Sequence, residues 1–468
     1  SLLYEAARAW QVDAKAEMYK LPVQYVGPYA EQDAAMTLRL WKALRIEINR
    51  QELNSIFDLE TELLPVLVAM KWNGVRIDLE KANNLKKQIQ KEENIILRDL
   101  KKEVGFEVEV FAPTSVAKAF DKKGIQYNKT PSGLPSFDKN FLATLNDPFS
   151  SKIVEARELF KARSTFIDSL LKHETNGRIH GEINQLKSDQ GGTITGRLSM
   201  SNPNLQQIPA RNEKIGPMIR SLFIPEEGTK WGSFDYSQQE PRLVVHFAAL
   251  THGGLDGADE FVDAYNNDAN TDFHQIAGNI AGIERKVAKT VNLGLFYGMG
   301  MKKLGSQLGI GEDDTKELFN KYHSRVPFVK QLMGLASKSA NDNGQVRTIL
   351  GRICHFDLWE PTKWGVHKAL PRDDAIRKYG SNLKRAFIYK ALNKLIQGSA
   401  ADQTKKAMIE VYKAGIIPHI QVHDELNVSV TDDKMIQQIK DIMENCIQLE
   451  VPSKVEPKIG KSWGTIKK

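Results

Sequence analysis

Two β-prone runs, each ending on an acid and separated by a long, mostly helical stretch, constrain this chain more than any other feature. Trp231 to Phe234 (WGSF) leads into DYSQQEPR, Asp235 to Arg242. Much later, PHIQVHDELNVSV, Pro418 to Val430, reads as two strands joined by a turn at His423–Asp424. An isolated hairpin is marginal in water, so these runs need a common sheet. We expect strands near residues 180, 230, 420 and 428 to form one antiparallel sheet, built from both sides of a helical insertion. The class is therefore α+β.

The insertion contains RKVAKTVNLGLFYG, Arg285 to Gly298, with the periodicity of an amphipathic helix. Its cations Arg285 and Lys289 stand four residues apart, hence on one face. A lone acid after a strand means little. Two such acids suited to divalent metals, with a helical pair of cations suited to a triphosphate between them, are the equipment of nucleotidyl transfer.

Length allows roughly two to four domains. A hydrophobic fraction of 41%, without low-complexity stretches, indicates a folded protein. No apolar run reaches the length of a membrane span, and the charges throughout residues 1–20 argue against a signal peptide and secretion. Two cysteines, Cys354 and Cys446, cannot build a disulfide framework or a zinc cluster. That suits a reducing compartment. The net charge of +7 is compatible with a polyanionic partner.

Taken in order, the segments at Asp235, Arg285 and Asp424 resemble motifs A, B and C of the family A (DNA polymerase I-like) DNA polymerases, as much in phage or organellar spelling as in bacterial. The resemblance covers roughly residues 50–468. It implies a right-hand fold, with a helical thumb at 49–175, an antiparallel-sheet palm at 176–246 and 393–468, and helical fingers inserted at 247–392. Residues 1–48 would be the end of a 3′–5′ exonuclease domain. Tyr29 and Asp33, in YAEQD, match the last motif of that domain; its Asp-x-Glu partner acids should lie upstream, so no proofreading is expected of this remnant. The implied activity is DNA-templated addition of deoxynucleoside triphosphates to a primer 3′-hydroxyl, in replication or repair. A monomer with two Mg2+ ions, replaceable by Mn2+, would carry it out. No thumb insertion of the size that recruits a processivity factor is visible.

The resemblance also assigns roles residue by residue. Asp235, Asp424 and the backbone carbonyl of Tyr236 would hold the metals, with Glu425 tuning the site. Lys289 would sit near the α-phosphate and protonate the leaving group, Arg285 would grip the outer phosphates, and His274 and Gln238 would also face the nucleotide. Glu240 matches the glutamate that leaves a ribose 2′-hydroxyl no room, and Tyr297 the tyrosine near the templating base. Leu293 departs from the usual Phe or Tyr beside the sugar C3′, so dideoxynucleotides should be accepted poorly. Arg197, Asn204 and Gln207, in the polar loop TGRLSMSNPNLQQIP, would contact primer–template, as would Asn393, Gln397 and His423. Tyr389 stands where bacterial members have a DNA-contacting arginine. Two alternatives stay open: a single-subunit RNA polymerase, against which Glu240 argues, and a catalytically inactive DNA-binding subunit, against which the intact acids and cations argue.

Overall fold

The structure is a computed structural model describing residues 2–189, 191–210, 212–251 and 253–466. It divides into two compact units. One runs to Thr61 and takes in Leu350–Arg352; the other comprises Glu62–Ile349 and Ile353–Lys468.

In the first unit, the helices Leu2–Ala9 and Val23–Arg50 meet over a small core of Leu3, Ala6, Ala7 and Leu21, with Tyr25, Val26 and Tyr29 half-buried against it. The longer helix buries none of its own residues fully. Tyr29 and Asp33 lie one turn apart on it, and their hydrogen bond holds the Tyr29 phenol above its ordinary pKa.

The second unit begins with long helices. Leu79–Val104 starts where the Asp78 carboxylate accepts from the Lys81 amide (2.9 Å) and stops at Gly105, whose left-handed φ of +81° suits a residue without Cβ. Its apolar stripe ends in Leu100 and Val104, which join Phe120, Phe149 and Ile153 in a separate core within the span expected for the thumb.

Four antiparallel strands form the central sheet, in the order Ile420–Val422, Glu425–Val430, Lys230–Tyr236, Val455–Gly460. Trp231 explains much of its anchoring. The ring is fully buried, stacks on Trp463 at 6.0 Å, and donates through Nε1 to Asn427 Oδ1 at 2.8 Å. Burying two indoles this way contributes several kcal/mol at about 25 cal/mol per Å².

The strand expected near residue 180 is not in this sheet. Arg178–Ile179 pairs instead with Val75–Arg76 and Glu174–Thr175 in a small sheet of its own, and Glu182–Asn184 pairs with Ser199–Ser201. The vacant edge of Lys230–Tyr236 is taken by Val455–Gly460, which the sequence hid because Pro457 interrupts it. Proline cannot donate to a ladder and is confined to edge strands, which is where this one lies.

Between the two halves of the sheet, helices pack around Phe261, Phe273, Val291, Phe296 and Phe328. This insertion is less uniformly helical than its sequence suggests. Gln345–Arg347 pairs with Ile353–His355, and Leu358–Pro361 pairs with both Leu370–Pro371 and Leu383–Arg385. The chain returns through the helix Ala391–Lys413, which opens more than a turn before Gln397. Gly398 is therefore interior, where an added Cβ would stand 2.5 Å from Thr348 Cγ2.

Candidate active site

The two acidic motifs meet at one end of the central sheet. Asp235 is paired in register with Glu425 on one side and Glu456 on the other, and the Tyr236 amide donates to the Asp424 carbonyl at 3.2 Å. Two left-handed residues, Gln238 (φ +55°) and His423 (φ +58°), turn the chain sharply beside these acids. Burial first, then the neighbouring Asp424 and Glu425, push the Asp235 carboxyl up to about 7. Burial likewise raises Asp424. Lys458 Nζ, 3.9 Å from Asp235 Oδ2, supplies a counter-charge, and Arg197 acts likewise on Asp424.

The other members of the acid cluster are tied down. Glu425 Oε1 accepts from Asn427 Nδ2 (2.7 Å) and Trp463 Nε1 (3.1 Å), so this carboxylate is oriented by the sheet. Arg220 lies 4.3 Å over the Trp463 ring, behind it. The Tyr236 side chain is buried and donates to the Met443 carbonyl at 2.6 Å, leaving only its backbone for any role at the site. Among the described residues no three His, Cys, Asp or Glu side chains gather into a ready-made metal cage. Two hard carboxylates short of positive charge nonetheless fit a divalent cation whose remaining ligands are backbone, water and substrate oxygens.

Across from the acids, the helix Arg285–Phe296 carries the cations. Lys289 is exposed and has no carboxylate partner among the described residues. Arg285 does have one: its Nε donates to Asp272 Oδ2 at 2.8 Å, while Asp272 also caps the helix Phe273–Ala281 through the His274 and Gln275 amides. His274 is buried and pushed down to about 4 by that burial, so its ring is neutral near pH 7. Asn292 Nδ2 lies 2.9 Å from its Nδ1. Gln238 spends its side chain on the same segment, donating to the Thr271 carbonyl (3.1 Å) and accepting from the Phe273 amide (2.9 Å). Leu293 is half-buried, one turn beyond Lys289.

Glu240 is the hub between the two sides. One oxygen accepts from Arg197 Nη2 at 2.6 Å and the other from the Tyr297 hydroxyl at 2.8 Å. The Tyr297 ring is 41% exposed, but its hydroxyl is sheltered against Glu240 and rises to about 12, through burial and then that carboxylate. Gln397 also reaches this hydroxyl. Arg197 is thus turned inward onto Glu240 rather than outward as a free groove contact. The sequence gives no sign of this, because 43 residues separate the pair.

The remaining loop residues divide. Asn204 caps the turn Leu205–Gln207 by accepting from the Gln206 amide (3.1 Å), and Gln206 donates to Gln421 Oε1 at 2.9 Å; Gln207 points to solvent. Asn393 and Gln397 are half-exposed on Ala391–Lys413, and His423 is exposed beside Asp424. Sequence reasoning missed Lys458, Glu456, Trp463, Arg220 and Asp272. Only a Glu-x-Lys alternation in VEPKIG hinted at the first two.

Comparison with known proteins places the chain. The model for DNA polymerase family A matches residues 79–465. A DNA-directed DNA polymerase of Pseudomonas phage M6 is 37% identical over 99% of this chain and 74% of its own. DNA polymerase I of Pseudomonas aeruginosa is 30% identical over 95% of this chain, which spans about half (48%) of that longer relative. Among solved structures, the polymerase domain of Pol1 from M. smegmatis, in complex with DNA primer–template and dNTP, superimposes with a TM-score of 0.77 at 27% identity, covering 99% of this chain and 79% of that one. The chain belongs to DNA polymerase family A, has its right-hand fold, and is a DNA-directed DNA polymerase by enzyme class.

Proposed function

We propose that this polymerase extends a DNA primer by two-metal nucleotidyl transfer centred on Asp235 and Asp424. The observation that carries the reading is the abutment of the two acidic motifs: they come from the middle and the C-terminal part of the chain, sit side by side at the end of one sheet, and keep their carboxyls raised by burial despite Lys458 3.9 Å from Asp235. Family A polymerases use divalent metals, and the donor set here suits Mg2+, with Mn2+ as a substitute. When bound, such ions lower the pKa of the primer 3′-hydroxyl and neutralise charge on the pyrophosphate.

The chain's own residues do the rest. Asp235, Asp424 and the Tyr236 carbonyl hold the ions, and Glu425 fixes the hairpin that presents Asp424. Lys289 meets the phosphates and serves as proton donor to the leaving group. Arg285, aimed by Asp272, adds charge toward the outer phosphates, and neutral His274 donates a hydrogen bond. Glu240, held from both sides by Arg197 and Tyr297, closes the space beside the sugar C2′, and Leu293 lines C3′. Asn393, Gln397, His423, Gln207 and Asn204 face the duplex. Primer–template DNA and a deoxynucleoside triphosphate are the ligands, which the mycobacterial complex supports. The setting is replication or repair in bacterial or phage-infected cytoplasm, with the enzyme acting as a monomer. Tyr29 and Asp33 are the trace of a nuclease site. Magnesium-dependent extension of a labelled primer, lost in Asp424→Ala, tests the reading; extension by that variant at more than about a hundredth of the wild-type rate refutes it.

A further inference from the structure

The segment 357–390 is unlike the rest of the insertion. It contains eight Lys and Arg (363, 368, 372, 377, 378, 384, 385, 390) against four Asp and Glu (357, 360, 373, 374), a net +4 in a chain whose total is +7. Two of its acids are already used, Glu360 by Lys384 (3.4 Å) and Asp374 by Arg377. Lys363, Lys368, Arg372 and Lys378 are exposed and have no carboxylate partner among the described residues. Aromatic rings interleave with these cations. Trp364 is 98% exposed. The Arg372 and Arg385 guanidiniums lie 5.7 and 4.6 Å from the Trp359 ring centre, and Lys390 Nζ lies 4.8 and 5.6 Å from those of Phe387 and Tyr389.

Position argues as strongly as composition. The strand Leu383–Arg385 runs through Phe387 and Tyr389 directly into the helix bearing Asn393 and Gln397. Tyr389 also packs against the end of the Arg285 helix. A Cβ on Gly298, next to Tyr297, would stand 2.7 Å from the Tyr389 carbonyl oxygen, so only glycine permits this approach. Trp359, Arg385, Phe387, Lys390 and Tyr389 thus lead along the segment toward Tyr297, while Lys363 and Trp364 follow the Pro361–Leu383 end of the strand pair. The segment buries few of its side chains and leaves Trp364 and Val366 in solvent, so its composition is not explained by packing. Exposed rings can stack on unpaired bases, and interleaved cations can follow a phosphate backbone.

We propose that segment 357–390 is a platform for single-stranded template DNA ahead of the active site, with Trp364 stacking on a base and Lys363 and Lys368 meeting phosphates. The proposal rests on the reading of Tyr297 as the template end of the site. Its test is binding to primer–templates whose 5′ overhang is about two or about twelve nucleotides, the longer within the usual span of single-strand sites. The wild type and the triple variant Trp364→Ala/Lys363→Ser/Lys368→Ser are compared by fluorescence anisotropy over a salt series. The wild type is expected to bind the long overhang about fivefold or more tightly, as one stacked base implies. The variant loses that preference, and its salt slope on the long overhang falls by about 1.4, as two lost single-strand phosphate contacts require. Single-nucleotide insertion on the short overhang is measured alongside and stays unchanged. All three side chains are exposed, so the fold is not at risk. A wild type without the preference, a variant that keeps it, or an equal preference when the overhang is made duplex overturns the platform. Absence of insertion by the wild type on the short overhang would instead overturn the polymerase reading of the site.

Discussion

Asp235→Asn should make this protein more stable at alkaline pH while abolishing its activity. In the metal-free protein the Asp235 carboxyl rises from a usual 3.8 to about 7, through burial and the adjacent Asp424 and Glu425. Below pH 3.8 the carboxyl is neutral in both folded and unfolded chains. As pH rises from there, the unfolded chain gives up the proton and the folded one resists, so folding loses free energy until the folded group titrates near 7. Taken whole, that lift corresponds to about 4 kcal/mol at 1.36 kcal/mol per pH unit. The side chain is still 35% exposed, and solvent screens it, so we expect about 1–2 kcal/mol. Asparagine stays neutral and escapes the penalty. For a unit of roughly four hundred residues this is a gain of about 1–2 °C in Tm. The assay is thermal unfolding of both proteins with chelator at pH 8 and pH 5, then at pH 8 with magnesium. The variant should lead at pH 8, lead less at pH 5, and lose its lead when magnesium stabilises only the wild type. An equal lead at both pH values, or equal magnesium stabilisation of both proteins, would refute the picture of an acid pair awaiting a cation.

Other expectations are direct. Asp424→Ala should lose at least a hundredfold in primer extension while binding primer–template within a few-fold of wild type, because phosphate contacts lie elsewhere; a large loss of affinity in a gel-shift titration would make the residue structural. Glu240→Ala should raise ribonucleotide incorporation, measured as the ratio of ribo- to deoxynucleotide kcat/KM, and slow extension as well, since Arg197 and Tyr297 lose their common anchor. An unchanged ratio would put the sugar gate elsewhere. Leu293→Tyr should improve dideoxynucleotide use by roughly tenfold, because a phenolic hydroxyl replaces the partner that the missing 3′-hydroxyl would supply. Equal chain termination by both enzymes, in competition with matched deoxynucleotides, would mean that Leu293 does not face the sugar.

Local chemistry was legible in the amino-acid order. The turn at His423–Asp424, the cation-bearing helix and the run into Asp235 are short-range patterns, in which side-chain alternation, helical spacing and turn residues act within a dozen positions. Even the meeting of the two acids could be anticipated, because hairpin strands need partners. What the order did not reveal depends on which distant segments compete for the same place. The edge beside Asp235 went to Val455–Gly460, which brings Lys458 to the carboxylate; the run near residue 180 pairs instead with Val75–Arg76, Glu174–Thr175 and Ser199–Ser201. Arg197 reads as an exposed loop arginine until the fold brings Glu240 within 2.6 Å, and a buried carboxylate holds an arginine more firmly than water does. The small sheet at Leu358–Arg385 was equally hidden, since its strands are two to four residues long and too short for periodicity to register. Pairing across long separations is decided by packing and electrostatics summed over the whole molecule, and only the tertiary structure carries that sum.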